Sequence, residues 1–425
     1  MSEVIKPIDG ELKDINIFDP ELMKCPHALY KKLRDESPVY QDPATGIFQV
    51  SNLELICEAA RNAKVFSNDF GALQKDGGSD DYPKEAADIM MKEGYPSVNT
   101  MLTADPPRHT RYRSLVNKAF SPKRVQDMGP AIERKTNDII DKFIHTGKCE
   151  VASDIAQQLP IKVIAEALGV SANHYEDFKV WSKAFTDQLS GTSTPEEHIE
   201  IAKKLVKFQQ FFANQLDEKG KNPADDIISD LATIDFEDEH GVTRKLETAE
   251  QLSIIQQLLV AGNATTAHSI TEAIKLLIEH PEQMELVVND HSLIPNMIEE
   301  SLRLLTPTNN MWRIVTEDTE LGGVSIPKGS SLLLRYGSGN RDEEVFENPD
   351  TFDVTRKNSK RHVAFGQGIH VCVGMNLSRK EMYTAFPIII DRLKNMRFAE
   401  GNDFNYSPNV LLRGLDSLHI EFDKA

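Results

Sequence analysis

No apolar run in this 425-residue chain approaches the roughly 18–20 residues that a bilayer-spanning helix needs, so no membrane span is expected. The opening residues, MSEVIKPIDGELKD, are polar and acidic, and read as neither a secretory signal nor an anchor. A cytoplasmic protein is the expectation. Cysteine is scarce. Cys25, Cys57, Cys149 and Cys372 are widely spaced with no C-x-x-C, which argues against a disulfide framework and against a zinc site. Three of them sit in ordinary sequence and read as inert thiols. A positive balance is lacking as well: the net charge of -18 argues against nucleic acid or an anionic membrane as partner. There is no internal repeat and no low-complexity bias.

What is present is mostly helical periodicity. Apolar positions recur at helical spacing over 128–145 and 198–218. The stretch 248–279 predicts one long helix, with Thr248 and Gln251 as a capping box and Pro281 just past its end. Strand signals cluster at Gly46–Val50 and from Arg313 to Tyr336, where Glu320–Gly323 and Pro327–Gly329 read as turns. The Gly-, Asp- and Ser-rich stretch from Asp69 to Glu85 reads as a mobile loop. The expected fold class is mainly α with a small β region, built as one domain over residues 1–425.

Two basic islands stand out against the acidic background. Arg108, Arg111, Arg113, Lys118, Lys123 and Arg124 occur without an acid between Pro106 and Gln126. Arg356, Lys357, Lys360, Arg361, Arg379 and Lys380 do the same between Val354 and Lys380.

The most informative segment is FGQGIHVCVG, Phe365 to Gly374. A thiolate that ligates a metal must be held by backbone donors on a loop that comes close to the cofactor plane. Gly366, Gly368 and Gly374 permit that approach. A helix beginning near Cys372 favours the charged sulfur, and Phe365 would keep water from it. Taken alone, the segment is also compatible with a glycine-rich turn ending in a buried cysteine. Glu300 and Arg303, three apart on a helix, can pair, and PDTFDVTR at 349–356 brings a further arginine, Arg356. Alone, such a pair is usually a surface ion pair.

In this order along the chain, these motifs resemble the cytochrome P-450 superfamily of bacterial-type haem-thiolate monooxygenases. The resemblance covers essentially the whole chain. It implies a triangular helical body with a long distal helix over haem b (iron protoporphyrin IX), Cys372 as the iron ligand, and Glu300, Arg303 and Arg356 as a structural lock. An axial thiolate pushes electron density onto iron and promotes O–O cleavage. His109 and Arg113 resemble the family's H-x-x-x-R and would meet the haem propionates, with Arg313 and His370 completing the set; Phe365, Gly366 and Gly374 would line the cofactor. Arg111 and Lys118 read instead as a solvated basic face.

AGNATT, Ala261 to Thr266, resembles the family's oxygen-handling turn, with Gly262 opening a groove and Thr265 steering protons. Ala264 stands where an acid is usual. Either a water chain ordered by Asn263 or a substrate hydroxyl delivers protons instead, or turnover is leaky and releases peroxide. The implied activity is insertion of one oxygen atom of dioxygen into a small-to-medium, mostly hydrophobic substrate, by hydroxylation or oxidative dealkylation.

The chain has no flavin or iron–sulfur segment, so electrons would come from a ferredoxin or flavodoxin with its reductase, steered to the basic islands. A monomer is expected. Pocket candidates are Val98, Met101, Leu102, Gln257, Val260, Ala261, Asn309, Met311 and Leu411. Gln257 and Asn309 could each bond a substrate oxygen, though Gln257 facing another helix or solvent is an equal reading. A haem-binding sensor or carrier without turnover is the alternative from another class. Peroxide-driven oxidation usually calls for an arginine in the long helix, and none occurs between Glu247 and Glu279.

Overall fold

A computed structural model of the chain describes residues 8–69, 83–190, 193–238 and 241–423. The stretch expected as a mobile loop falls largely outside these residues, as do the first seven. The chain divides into two compact units. One gathers the residues up to Ser67, Val125–Leu159 and the chain from Thr265 onward; the other gathers Asn68–Arg124 and Pro160–Ala264.

The first unit holds a five-stranded sheet in the order Val39–Gln41, Phe48–Val50, Ser331–Leu334, Met311–Val315, Phe66–Ser67. Leu332 pairs in parallel with Phe48 and antiparallel with Arg313, which fixes the register of the central strand. That strand reads SLLL because it is covered on both faces, and Leu332, Leu333 and Leu334 are fully buried. Val50, Ile56, Phe66, Phe346 and Val363 close the same apolar cluster. Between Thr319–Leu321 and Val324–Ile326, Gly322 and Gly323 have φ of +57° and +79°, the left-handed pair that a two-residue hairpin requires. The helices Gly129–Asp141 and Ile294–Leu305 both pack on Met375–Arg392. Every residue from Met297 to Leu305 is buried, so the charges on that helix must find partners inside.

The second unit is built on Tyr175–Ser190 and Pro195–Lys221, with Lys84–Glu93 packed on the latter. Thr194 and Glu197 form a reciprocal capping box at the start of Pro195–Lys221. Phe178, Trp181, Phe208 and Phe212 interlock between the two helices, with Phe208 and Phe212 ring centroids 4.8 Å apart.

The long helix runs from Thr248 to Glu279, with the bounds the sequence predicts. Its cap does not follow the prediction. The Gln251 amide donates to the Leu231 carbonyl, and the Glu250 carboxylate takes the Glu247 N–H at 2.7 Å. One of the two bonds of a box therefore forms one residue earlier, while Gln251 is held by a partner twenty residues upstream that the local pattern does not show.

Candidate active site

The loop from Phe365 to Gly374 is held by its own backbone. The Cys372 N–H donates to the Phe365 carbonyl at 2.9 Å, and the Gly366 N–H to the Val363 carbonyl at 2.8 Å. Gly366 has φ +72°, so any side chain there would be strained. A Cβ at Gly368 would lie 2.3 Å from the Ala60 carbonyl oxygen, because the loop tip is pressed onto the end of Leu53–Arg61. A Cβ at Gly374 would sit 3.9 Å from the Cys372 sulfur: an alanine fits, but it screens one side of the thiol. The helix Met375–Arg392 starts three residues after the cysteine. His370 is half-buried in the single turn Gly368–His370.

Two buried acids side by side on Ile294–Leu305 face different partners. Glu300 takes Arg303 in a two-point contact at 2.8 Å each and Arg356 Nε at 2.8 Å. All three side chains are within 9% of full burial. Both arginines also donate to carbonyls of the 347–351 segment. Glu299 lies beyond the expectations drawn from sequence. It accepts from Arg379 twice at 2.7 Å, from Tyr383 at 2.6 Å and from His362 at 3.2 Å. Burial alone would raise its pKa, and the hydrogen bonds from His362, Arg379 and Tyr383 overcome that and hold it well below the usual range. So anchored, the Arg379 guanidinium lies 4.7 Å from the Phe365 ring centroid, beside the cysteine loop. Sequence spacing could not separate these roles, since Arg303 lies three residues from Glu300 and four from Glu299.

On the strand Met311–Val315, Arg313 is only 1% exposed. Its Nη1 donates to the Trp312 carbonyl at 2.7 Å, and among the described residues no carboxylate pairs with it.

The long helix presents one open face within a buried length. Leu258, Leu259, Asn263, Thr266 and Ala267 are buried, whereas Val260, Gly262, Ala264 and Thr265 are half-open and Ala261 is exposed. A Cβ at Gly262 would meet nothing within 4 Å. Asn263 departs from the expectation. Its amide nitrogen donates to Ser182 at 2.8 Å and the residue is buried, so it faces a neighbouring helix and not the open face.

In the second unit, His109 is buried and Arg113, one turn on, bonds Asn117 at 3.0 Å. Burial, and then the positive charge of Arg113, lower the His109 pKa. Gln257 is also corrected. Its carbonyl oxygen takes the Leu102 N–H at 2.9 Å and its nitrogen donates to Thr100 at 2.8 Å, so it ties down the loop before His109, with one N–H of the amide beyond these two bonds. That loop buries Met101, leaves Leu102 exposed and Val98 half-open.

In the first unit Met311 and Leu411 are half-buried. Asn309 is 2% exposed, accepts from Tyr30 Oη and leaves no room for a Cβ at Gly337, so it is a core residue whose oxygen is already engaged. The first basic island loses a member too, because Arg124 is paired with Asp225 and, at 2.7 Å, with Asp230. In the second island Arg356 and Arg379 are spent on Glu300 and Glu299, while Lys357, Lys360 and Arg361 stay exposed.

These residues fit a haem on two observations from the first unit. Gly366 and Gly374 keep side chains off the loop that carries Cys372, and Arg313 is a buried cation with no carboxylate partner among the described residues, suited to a propionate. A thiol on a close-approach loop and a buried, unneutralised arginine define a haem-thiolate class of protein.

The comparisons agree. The family described as Cytochrome P450 matches residues 72–403. Cytochrome P450 107B1 of Saccharopolyspora erythraea is 33% identical over 97% of this chain and 98% of its own length. The 6-deoxyerythronolide B hydroxylase of the same organism is 33% identical over 80% of this chain and 84% of its own. The solved structure of cytochrome P450 CREJ in complex with (4-ethylphenyl) dihydrogen phosphate superposes with a TM-score of 0.87 at 27% identity, covering 97% of this chain and all of that one. The chain belongs to the cytochrome P450 family. It is a haem b monooxygenase, and the sensor alternative finds no support among these relatives. Among the described residues no helix is long and apolar enough to cross a membrane.

Proposed function

We propose that the protein acts in the cytoplasm as a single-domain monomer, binding haem through Cys372 and oxygenating a small-to-medium, mostly apolar organic molecule. The observation that carries this reading is the Cys372 loop, closed by the bond from the cysteine N–H to Phe365 and kept bare by Gly366 and Gly374. Arg313, His109, Arg113 and His370 would hold the propionates. When bound, haem supplies dioxygen activation and electron uptake, which no side chain can provide.

The chain's own part is shielding, proton handling and positioning. Phe365, with Arg379 stacked on its ring, guards the loop against water. Thr265 holds a transferable proton at its Oγ1 on the half-open helix face, and Gly262 leaves space beside it. Val260, Ala261 and Ala264 make that face small and apolar, which favours a substrate presenting carbon and not charge. Gln257 and Asn309 each spend hydrogen bonds inside the protein, which leaves them little capacity for a substrate oxygen. Electrons would arrive from a separate ferredoxin or flavodoxin with its reductase, drawn by exposed cations including Lys357, Lys360 and Arg361.

The test is the absorption spectrum of the loaded protein, reduced and exposed to carbon monoxide. A Soret band shifted far to the red, and lost in Cys372→Ser, is the expected result. A band at the ordinary position in fresh protein would overturn Cys372 as ligand.

A further inference from the structure

The long helix carries a polar seam that the activity described so far does not use. From Thr265 it continues through His268, Glu272, Lys275 and Glu279, at alternating steps of three and four residues that keep one face. The rest of this half of the helix is largely apolar: Ala267, Ile270, Ala273, Ile274 and Leu277 are buried. The seam packs against the 404–416 segment. The His268 ring is packed against Gly414, where a Cβ would come within 2.1 Å of it. Tyr406 Oη donates to Glu272 at 3.1 Å, and the Arg413 guanidinium covers the Tyr406 ring at 4.0 Å. At the far end Lys275 and Glu279 pair at 3.0 Å, with 13% and 14% of their side chains exposed.

Two features of the seam call for a purpose. Among the described residues His268 Nδ1 is buried and has no hydrogen-bond partner, an arrangement that native proteins keep only where a water or a function accounts for it. Glu272 is buried with one phenol as its hydrogen-bond partner among the described residues, and burial raises its pKa against the pull of Arg413 and Lys275. A carboxyl inclined to hold its proton thus lies one turn from an imidazole that burial keeps neutral, its pKa lowered to about 4 despite nearby Asp416. Their Cβ atoms are about 5–6 Å apart at this spacing, within reach of one bridging water.

We propose that this seam delivers protons to Thr265, in place of the acid that Ala264 does not supply. The inference rests on the reading of Thr265 given above. Each turnover takes one dioxygen, two electrons from the redox partner and two protons, and turns a C–H into a C–OH with release of one water. The protons enter at the Lys275–Glu279 end. At Glu272 and at His268 one O–H or N–H bond forms on the entry side as another breaks on the exit side.

The experiment compares the wild type with His268→Phe, which keeps a flat ring on Gly414, and with Glu272→Gln and Thr265→Ala, each as the haem-loaded protein. In His268→Phe the fraction of consumed nicotinamide that appears as product should fall about three- to tenfold, with peroxide making up the difference. Glu272→Gln should fall the same way, and the double variant should be no worse than His268→Phe alone. A second readout is independent of turnover. In the diamagnetic carbon monoxide complex, labelled histidine should show His268 neutral down to about pH 5, and Glu272→Gln should move its nitrogen resonances. If His268→Phe leaves the coupled fraction unchanged while Thr265→Ala lowers it, the seam is refuted and the role of Thr265 stands. If neither variant changes it, the reading of Thr265 fails first. Should His268→Phe not fold, unmoved His268 resonances in Glu272→Gln would suffice to overturn the route.

Discussion

Replacing Glu300 with glutamine should remove a large share of the folding free energy, and the loss follows from its partners. The carboxylate is fully buried and takes three arginine contacts at 2.8 Å, two from Arg303 and one from Arg356. Glutamine keeps the shape but leaves two guanidiniums in the interior without an anion. Breaking one side of a buried ion pair costs about 3–5 kcal/mol, against a total stability of about 5–15 kcal/mol for a typical protein. Carbonyls of Asn340, Pro349 and Asn348 still accept from the arginines. They satisfy N–H groups but neutralise no charge, so the lower end of the range is expected.

The assay is the urea midpoint by far-ultraviolet circular dichroism, compared at constant slope. Arg356→Met should also destabilise. The double variant Glu300→Gln, Arg356→Met should cost less than the two losses added, because the second change removes a cation the first has orphaned. A loss below about 1 kcal/mol, the scale of an exposed pair, would refute the reasoning and mean that water reaches the cluster.

Gly262→Ala meets no atom within 4 Å and removes a mid-helix glycine, so stability should rise by about 0.5–1 kcal/mol while oxygenation slows; a variant as active as the parent would show that the open space is not used. Glu381 is buried, its pKa is pushed up by burial, and its Oε2 has no partner among the described residues. Above the ordinary carboxylate range the unfolded chain releases this proton while the folded chain retains it, so Glu381 lowers stability as pH rises. Glu381→Gln should therefore match the parent near pH 4 and unfold at higher urea near pH 7.5; equal midpoints at both pH values would contradict the burial argument. Lys118→Glu with Lys123→Glu should slow reduction by a ferredoxin and weaken its salt dependence, whereas adding Arg124→Glu acts mainly through its bonds to Asp225 and Asp230. Unchanged rates in the first pair would remove that island from docking.

What could be read from the sequence was whatever is made locally. The cysteine loop builds its geometry within ten residues, and the long helix announces both ends by periodicity and Pro281. The Glu300–Arg303 pair needs only three positions. What stayed hidden depends on partners far along the chain. Gln257 looks like a pocket residue until Thr100, 157 residues away, takes its amide. Asn309 looks like another until Tyr30, 279 residues away, claims its oxygen. Asn263 is turned by Ser182 and Glu299 by Arg379 and Tyr383.

For the three amides the residue type was noticed and its direction was not, and Glu299 went unremarked beside Glu300, because a buried polar side chain faces whichever group offers it a bond, and leaving it unbonded costs about 1–3 kcal/mol. The same rule applies to Ala264. A missing acid is visible in sequence, but its replacement is not, since His268 and Glu272 acquire meaning only when Gly414 and Tyr406 close over them. A helix that lacks one carboxyl beside Thr265 and buries another two turns further on has moved its acid; it has not lost it.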